Sequence, residues 1–144
     1  WKIGYIVATA TLTARFRQVH QFTVFVVNHP AQAGIAKYVA MHHPFKQLAP
    51  FFEQKRNLLM KQLDPTPFKV IPTQGTYFMV ADYRAIRDIP DEEFVSWLME
   101  SYGIATIPLS AFYSAPNDLR LVRFCFAKKE ETLLEAGRRL RALG

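Results

Sequence analysis

One segment of the sequence has a clear strand pattern, Leu121-Val122-Arg123-Phe124-Cys125-Phe126. Successive side chains of a β-strand point to opposite faces of the sheet. The even-numbered residues of this stretch are all apolar and share one face, whereas Leu121, Arg123 and Cys125 share the other. The pattern predicts a strand over residues 119–126 that packs one face against a core.

The segments around this strand predict an α+β unit. Residues 68–71 and 76–82 flank the turn Pro72-Thr73-Gln74-Gly75, which is typical of a hairpin. Pro90 and the acidic residues after it are typical of a helix start, and Gly103 is typical of a helix end. We therefore expect two or three mixed strands with helices covering one side. The remaining predicted elements are a strand over residues 104–107 and helices over residues 50–63, 91–102 and 130–143.

The N-terminal part of the sequence has a different pattern. Residues 1–8 form an apolar run that is typical of a buried strand. A buried strand at a chain end needs neighbouring strands from elsewhere, so we expect the chain to be a fragment of a larger protein. Two helices are predicted next, one capped within Thr11-Leu12-Thr13 and one begun by Asn28-His29-Pro30 and running to Ala40. Residues 21–27 fit either a strand or a helix.

A domain boundary is predicted at His42-His43-Pro44. The residue before a proline avoids the helical conformation, so this tripeptide interrupts the chain. Residues 1–44 are then part of a larger domain, and residues 45–144 form a compact small one.

Composition and charge exclude several classes of protein. The 144 residues are 50% hydrophobic and 14% aromatic, which is enough apolar surface for a core and argues against disorder. The net charge of +6 comes from 18 basic residues scattered among 12 acidic ones, without a nucleic-acid-binding motif, so nucleic acid is not an expected partner. No apolar run approaches the roughly 20 residues of a membrane helix, and no membrane contact is expected. The single cysteine, Cys125, excludes an internal disulfide and suits the cytoplasm.

Two basic residues lie in apolar segments and need an explanation. The guanidinium of Arg123 requires an anion, because burial of a charge without a partner is costly. That anion is either an Asp or Glu of the chain or the carboxylate of a ligand, which can accept two parallel hydrogen bonds. Lys2 either keeps its ammonium in water at a sheet edge or directs it at a phosphate. The residue pattern leaves both choices open.

Other residue types give weaker signals. The four histidines, His20, His29, His42 and His43, lack metal-ligand spacing, so no metal site is predicted. Cys125 lies in a strongly apolar strand and is expected to be an inert core thiol. No serine lies in a nucleophile elbow, and no glycine-rich phosphate loop is present. Core packing is the expectation for the aromatic residues near turns, which are Phe25, Tyr77, Phe78, Phe112 and Tyr113.

Several motifs together resemble one enzyme family. In chain order they are Trp1-Lys2-Ile3-Gly4-Tyr5, Val19-His20-Gln21-Phe22, Gly75-Thr76-Tyr77-Phe78, Ile107-Pro108-Leu109-Ser110-Ala111-Phe112-Tyr113 and the stretch that begins Arg123-Phe124-Cys125-Phe126-Ala127. They resemble the pyridoxal-phosphate-dependent aminotransferases of fold type I, and most closely the branch that contains methionine aminotransferase and kynurenine–oxoglutarate aminotransferase. The resemblance runs from end to end of this chain and corresponds to the C-terminal third or so of such an enzyme.

The resemblance implies a fold, a cofactor and partners. The fold class is α/β, the fold type I of pyridoxal-phosphate-dependent transferases. Residues 1–44 are then the C-terminal end of the large cofactor-binding domain, with residues 1–8 as a strand of its sheet, and residues 45–144 are the α+β small domain. The implied cofactor is pyridoxal 5'-phosphate, and the implied substrates are an amino acid, methionine or an aromatic one, and a 2-oxo acid. A homodimer is also implied.

The resemblance assigns roles to three residues. Lys2 matches the lysine that binds the cofactor phosphate, and Arg123 matches the arginine that holds the substrate α-carboxylate. Phe25 matches an aromatic residue that reaches the neighbouring subunit's active site in related kynurenine aminotransferases. Val26 stands where some relatives have histidine, a departure that bears on the preference for aromatic substrates. The Schiff-base lysine is expected upstream of Trp1, so no residue of this chain is assigned a catalytic role.

Two alternatives stand beside transamination. A C–S β-lyase uses the same cofactor and would release pyruvate from a cysteine conjugate without a 2-oxo acid acceptor. A non-catalytic module would fold alone or bind a partner through an exposed sheet edge. The apolar run at residues 1–8 argues against such a module, because without its sheet it is an aggregation liability.

Overall fold

The computed structural model describes residues 2–42, 45–115 and 117–143. The chain divides into two compact units, residues 1–46 and 47–144. His43 and Pro44 of the predicted boundary motif, and Trp1 of the predicted first strand, lie outside the described residues. Within the described ranges, no helix is both long enough and apolar enough to cross a membrane.

The first unit contains two helices, α1 (Ala10–Thr23) and α2 (His29–His42). The strand predicted over residues 1–8 is wrong for its described part, because residues 2–9 have an irregular backbone. Tyr5, Ile6 and Val7 are exposed there. A strand needs a neighbour for its backbone hydrogen bonds, and all strands of the described residues lie in the second unit. Hydrophobicity alone carries no information about whether such a neighbour is available.

The ends of α1 and α2 test the predicted caps. α1 begins directly after Thr9, so the predicted cap at residues 11–13 is wrong and these residues form the first turn. The helix continues to Thr23, which makes part of the ambiguous segment 21–27 helical. Asn28 caps α2 as predicted, since its Oδ1 accepts the amide N–H of Ala31 over 2.9 Å.

The second unit is built on a four-stranded sheet. Its strands are β1 (Lys69–Ile71), β2 (Phe78–Asp82), β3 (Ile107–Pro108) and β4 (Leu121–Cys125). Their order in the sheet is β1-β2-β4-β3, and every neighbouring pair is antiparallel. The hairpin of β1 and β2 is as predicted. The expectation of two or three mixed strands is wrong, because a run as short as β3 does not reveal its partner or direction in the sequence.

Helices cover one face of this sheet and complete the core. They are α3 (Phe45–Leu63), α4 (Asp91–Tyr102) and α5 (Glu130–Leu140). The alternation predicted for β4 is confirmed: Val122 and Phe124 are buried, whereas Arg123 is partly exposed on the other face. The helices contribute Leu59, Leu63, Phe94, Leu98, Leu133 and Leu140 to the core.

The helix ends of the second unit follow most of the predicted signals. α4 starts after Pro90 and ends at Gly103, whose φ of 65° is the left-handed conformation that glycine adopts readily. α3 begins at Phe45 rather than at the predicted Pro50. Pro50 lies early in the helix, and its missing N–H removes a single hydrogen bond near the start.

A short 3₁₀ helix, Leu109–Phe112 (the 3₁₀ turn), follows β3 and has no counterpart among the predicted elements. Ile107 of β3 pairs with Arg123 of β4, so the 3₁₀ turn begins two residues beyond the partner of Arg123. The helix predicted over residues 130–143 divides into α5 and a second 3₁₀ segment, Arg141–Leu143.

Candidate functional site

Arg123 occupies the middle of β4, on the face of the sheet opposite to the core. It pairs with Val80 of β2 and with Ile107 of β3. Directly opposed residues of neighbouring antiparallel strands project from the same face. The side chain of Arg123 therefore rises between two apolar neighbours, on the face that the sequence alternation predicted.

Two phenylalanine rings flank the guanidinium of Arg123. Its Cζ atom lies 4.8 Å from the ring centroid of Phe78 in β2 and 4.9 Å from that of Phe112 in the 3₁₀ turn. A cation this close to an aromatic face is attracted by the ring quadrupole. The rings restrict the orientation of the guanidinium. They do not accept hydrogen bonds from its N–H groups, which lie in the plane of the guanidinium.

The hydrogen-bond donors of Arg123 lack a partner within the described ranges. The Nε atom is buried and unpaired, and no described Asp or Glu forms an ion pair with the guanidinium. A buried donor without an acceptor is unfavourable and rare in folded proteins. Of the two anions that the sequence left open, the internal carboxylate is not present among these residues. The arrangement can accept an external carboxylate.

Other arginines of the second unit have carboxylate partners. Arg84 donates to Asp82, with Nε 2.9 Å from Oδ2, and this contact lowers the pKa of Asp82. Glu135 accepts hydrogen bonds from Arg138 and Arg139, each over 2.7 Å, which lowers the pKa of Glu135 to about 2. Arg123 differs from these arginines in lying between rings instead of beside an acid.

A buried carboxylate holds the 3₁₀ turn. Asp91, the first residue of α4, is 2% exposed. Its Oδ2 accepts the amide N–H of Ser110 over 2.8 Å, and its Oδ1 accepts the Ser110 hydroxyl over 2.7 Å. Ser110 lies two residues before Phe112, so the start of α4 is tied directly to the turn that carries this ring.

The same helix start is tied to the loop before β4. The amide N–H of Asp91 donates to Oδ2 of Asp118 over 3.1 Å. Asp118 also accepts the amide N–H of Arg120 over 2.8 Å and forms an ion pair with the Arg120 guanidinium. Arg120 has a left-handed φ of 59°. These contacts hold a backbone conformation that a non-glycine residue adopts only with support from its surroundings.

Lys2 is exposed and lies in the first unit, before α1. It lines a cavity of about 420 Å³ together with Ile3 and with Asn28, Pro30 and Ala31, at the N-terminal end of α2. A helix N-terminus carries partial positive charge, so an ammonium beside it makes the cavity suitable for an anion. The sheet edge of the alternative interpretation is wrong, because residues 2–9 form no strand, but the exposed side chain agrees with its expectation of an ammonium in water.

Phe25 lies between α1 and α2, where its φ is 65° and its side chain is 78% exposed. Its amide N–H donates to the carbonyl oxygen of His20 over 2.9 Å, so the end of α1 holds this backbone. The expectation of core packing is therefore wrong for Phe25. Its ring does not line the cavity beside Lys2.

Several other expectations about single residues need correction. Cys125 is partly exposed and lies on the face of Arg123 instead of in the core, two residues further along β4. Tyr77, Phe112 and Tyr113 are exposed as well. In the part of the chain that the structure describes, no three His, Cys, Asp or Glu side chains come together as a metal site.

The roles of Asp91 and Ser110 could not be found by sequence reasoning. An acidic residue in the first turn of a helix is explained by the helix dipole alone, and Ser110 stands 19 positions further along the chain. The motif that contains Ser110 and Phe112 contributes to the family resemblance. Only the fold shows that the 3₁₀ turn with these two residues lies near Arg123.

Comparison with known proteins gives a consistent result. Residues 1–140 match the family model described as aminotransferase class I and II. A methionine aminotransferase of Escherichia coli (strain K12) is 44% identical over 144 residues, which cover 99% of this chain and 37% of the relative. Kynurenine–oxoglutarate transaminase 1 of Homo sapiens is 31% identical over 163 residues, covering 98% of this chain and 39% of the relative. The chain thus spans less than half the length of these curated relatives.

Solved structures agree with the α/β fold class of the sequence analysis. The crystal structure of an Escherichia coli protein identified as a methionine aminotransferase superposes with a TM-score of 0.85 at 43% identity, covering 99% of this chain and 38% of that one. The N-succinyldiaminopimelate aminotransferase of Mycobacterium tuberculosis superposes with a TM-score of 0.82 at 36% identity, covering 100% of this chain and 38% of that one.

Proposed function

Because the chain belongs to the class I and II aminotransferases, we propose that it forms the C-terminal portion of a pyridoxal-phosphate-dependent enzyme that moves an amino group from an amino acid to a 2-oxo acid. The amino donor is methionine or an aromatic amino acid, as the names of the relatives suggest. Residues 1–44 belong to the large cofactor-binding domain and residues 45–144 to the small domain. The enzyme works in the cytoplasm as a homodimer.

The single observation that carries this proposal is the unpaired guanidinium of Arg123. Every α-amino acid and every 2-oxo acid has a carboxylate next to the reacting carbon, so one fixed cation can serve both substrates. Arg123 is partly exposed, and the planar fork of a guanidinium matches a carboxylate that accepts two parallel hydrogen bonds. Phe78 and Phe112 hold the guanidinium before the substrate arrives, which reduces the entropy lost on binding.

Lys2 is the residue of this chain that we assign to the cofactor phosphate. The exposed ammonium and the cavity at the start of α2 have the chemistry that a phosphate dianion requires. A lysine suits this task because an ammonium is a compact point charge that needs no fixed geometry. When bound, pyridoxal phosphate supplies an electron sink for the bonds at the substrate α-carbon. The residues proposed here bind and orient, and none of them is assigned a proton transfer.

Phe25 is assigned to the substrate pocket of the neighbouring subunit. Its ring is 78% exposed on a backbone that the end of α1 holds. An exposed aromatic residue on a supported turn is suited to contact a second molecule. Val26 beside it is also exposed and apolar, so this segment offers the substrate side chain no charged group.

The test uses the complete enzyme loaded with cofactor and replaces Arg123 with alanine. We expect the KM values for methionine and for the 2-oxo acid to rise and kcat/KM to fall by at least about a hundredfold, because two charge-assisted hydrogen bonds are lost. Arg87→Ala is the matched control, since Arg87 also lies over a ring, that of Trp97, 4.8 Å from its centroid. This control should leave both KM values unchanged.

A binding measurement separates carboxylate recognition from catalysis. The probes are 3-phenylpropionate and its neutral amide, titrated calorimetrically into the wild-type and Arg123→Ala enzymes. We expect wild type to prefer the carboxylate and the variant to bind both probes equally weakly. Unchanged kinetics in Arg123→Ala would contradict the site assignment. Pyruvate release from a cysteine conjugate without any 2-oxo acid would favour a C–S β-lyase, and a lack of amino transfer to every 2-oxo acid would contradict transamination.

A further inference from the structure

The position of Phe112 needs a cause other than burial. The residue is 59% exposed, so packing contributes little to fixing its ring near Arg123. The 3₁₀ turn that carries it has four residues and no counterpart among the regular elements predicted from sequence. Its helical hydrogen bonds are few, among them the one that the amide N–H of Tyr113 donates to the carbonyl oxygen of Ser110 over 3.0 Å, so contacts with other elements contribute to holding it.

The strongest of these contacts is made by Asp91. The carboxylate is buried, and both of its oxygens accept hydrogen bonds from Ser110, one from the backbone and one from the hydroxyl. Hydrogen bonds to a carboxylate are roughly twice as strong as neutral ones. Phe94 and Leu98 of the same helix are fully buried, so Asp91 ties the 3₁₀ turn to an element that the core holds rigidly.

Asp91 is also linked by hydrogen bonds to the segment that precedes β4, the strand of Arg123. The amide of Asp91 donates to Asp118, which in turn accepts the amide of Arg120, the residue directly before β4. The segment before β4, which leads to Arg123, and the 3₁₀ turn, which carries Phe112, are therefore both linked by hydrogen bonds to Asp91, the first residue of α4.

We propose that Asp91 is a positioning residue for the carboxylate site. By holding Ser110 it fixes the 3₁₀ turn, and the turn places the Phe112 ring so that the Arg123 guanidinium stays oriented for a substrate carboxylate. Asp91 acts through Arg123 and does not touch the substrate. This role rests on the proposed function, in which Arg123 binds that carboxylate.

The test replaces Asp91 with asparagine in the complete enzyme loaded with cofactor. Asparagine keeps the size of the side chain but removes its charge and leaves one acceptor oxygen, so the two hydrogen bonds that Ser110 donates to the carboxylate cannot both be kept. We expect the KM values for both substrates to rise roughly tenfold with little change in kcat, and the dissociation constant of 3-phenylpropionate to rise by the same factor. Glu92→Gln, an exposed acid in the same helical turn, is the matched control and should change neither value.

Two further variants keep the idea testable if Asp91→Asn folds poorly. Ser110→Ala removes only the hydroxyl bond and should raise KM about threefold. Phe112→Leu removes the ring from an exposed position, where folding is not at risk, and should raise KM about as much as Asp91→Asn. If Asp91 only stabilised the fold, Asp91→Asn and Ser110→Ala would lower the melting temperature and leave the KM values and the dissociation constant as in wild type, which would overturn the proposal.

Combining Asp91→Asn with Arg123→Lys separates this inference from the proposed function. When one residue acts through another, the second substitution adds nothing to the first. We expect Asp91→Asn to have no further effect on KM in the Arg123→Lys enzyme, and additive effects would overturn the positioning role. If Arg123→Lys itself leaves KM unchanged, the proposed function fails. If Arg123→Lys raises KM but Asp91→Asn does not, only the present inference fails.

Discussion

Tyr83, directly after β2, shows how one hydroxyl can stabilise the second unit without taking part in the site. The residue is fully buried, and its ring stacks on Phe94 with centroids 3.8 Å apart. Its hydroxyl donates to the carbonyl oxygen of Ile89 over 2.9 Å. Burial raises the pKa of Tyr83, so the hydroxyl keeps its proton and remains a donor. We expect Tyr83→Phe to lower the free energy of unfolding by about 1–2 kcal/mol, because the carbonyl loses its partner.

Chemical denaturation measures this loss, and substrate kinetics give the second readout, in which KM should stay at the wild-type value. Tyr102→Phe serves as the control. Its ring packs against Trp97 at the edge of the same core, and its hydroxyl donates to none of the described residues. Equal losses of stability in the two variants would show that the hydrogen bond to Ile89 contributes nothing.

The candidate site was only partly predictable at the level of single residues. Alternation in β4 placed Arg123 on the face opposite to the core, because the period of a strand is a local property of the sequence. The rings beside it were expected to be core residues. Phe78 and Phe112 meet Arg123 through strand register and through the 3₁₀ turn, and both depend on contacts between residues far apart in the chain. Local patterns do not contain that information.

Among the elements, the contact of α3 with α5 depends on a glycine. Gly137 is buried in α5, and a Cβ atom added there would lie 2.5 Å from Cβ and 2.7 Å from Cγ of Gln62 in α3. Neither atom is the mobile end of the side chain, so one helix would have to move. We expect Gly137→Ala to destabilise the protein by about 1–2 kcal/mol, because the clash exceeds the gain of about 1 kcal/mol in helix propensity.

Thermal denaturation followed by circular dichroism tests this expectation. Gly75→Ala is the control, since a Cβ at Gly75 would meet nothing within 4 Å. A melting temperature of Gly137→Ala at or above that of wild type would contradict the prediction, because α3 and α5 could then move apart without loss of stability.

Sequence patterns identified long elements better than short ones. The helix ends at Asn28 and Gly103 follow from capping chemistry, which acts within a few residues. The strand expected over residues 1–8 failed because pairing partners are not encoded locally. β3, with two residues, is too short to show a period, and its place beside β4 is fixed by the tertiary structure.

Among the described residues, the core of the protein belongs to one of the two units. All buried apolar residues of the core cluster lie between Leu59 and Leu140, within residues 47–144. α1, in contrast, has no buried residue. We expect residues 47–144 produced alone to unfold in one cooperative transition, with a melting temperature within about 5 °C of that of the 144-residue chain. Differential scanning calorimetry of both proteins is the measurement, and a broad transition without a heat-capacity peak in the shorter one would contradict this view.

The unpaired guanidinium of Arg123 also bears on how this sequence is selected. On folding, its Nε leaves water without gaining an acceptor, so the native state carries a penalty. An unbranched apolar side chain such as methionine would remove that penalty. Variants chosen for heat resistance alone should therefore tend to lose the arginine, whereas variants chosen for carboxylate binding, the role proposed for Arg123, should keep it. Position 123 is thus one where the fittest residue and the most stabilising residue differ.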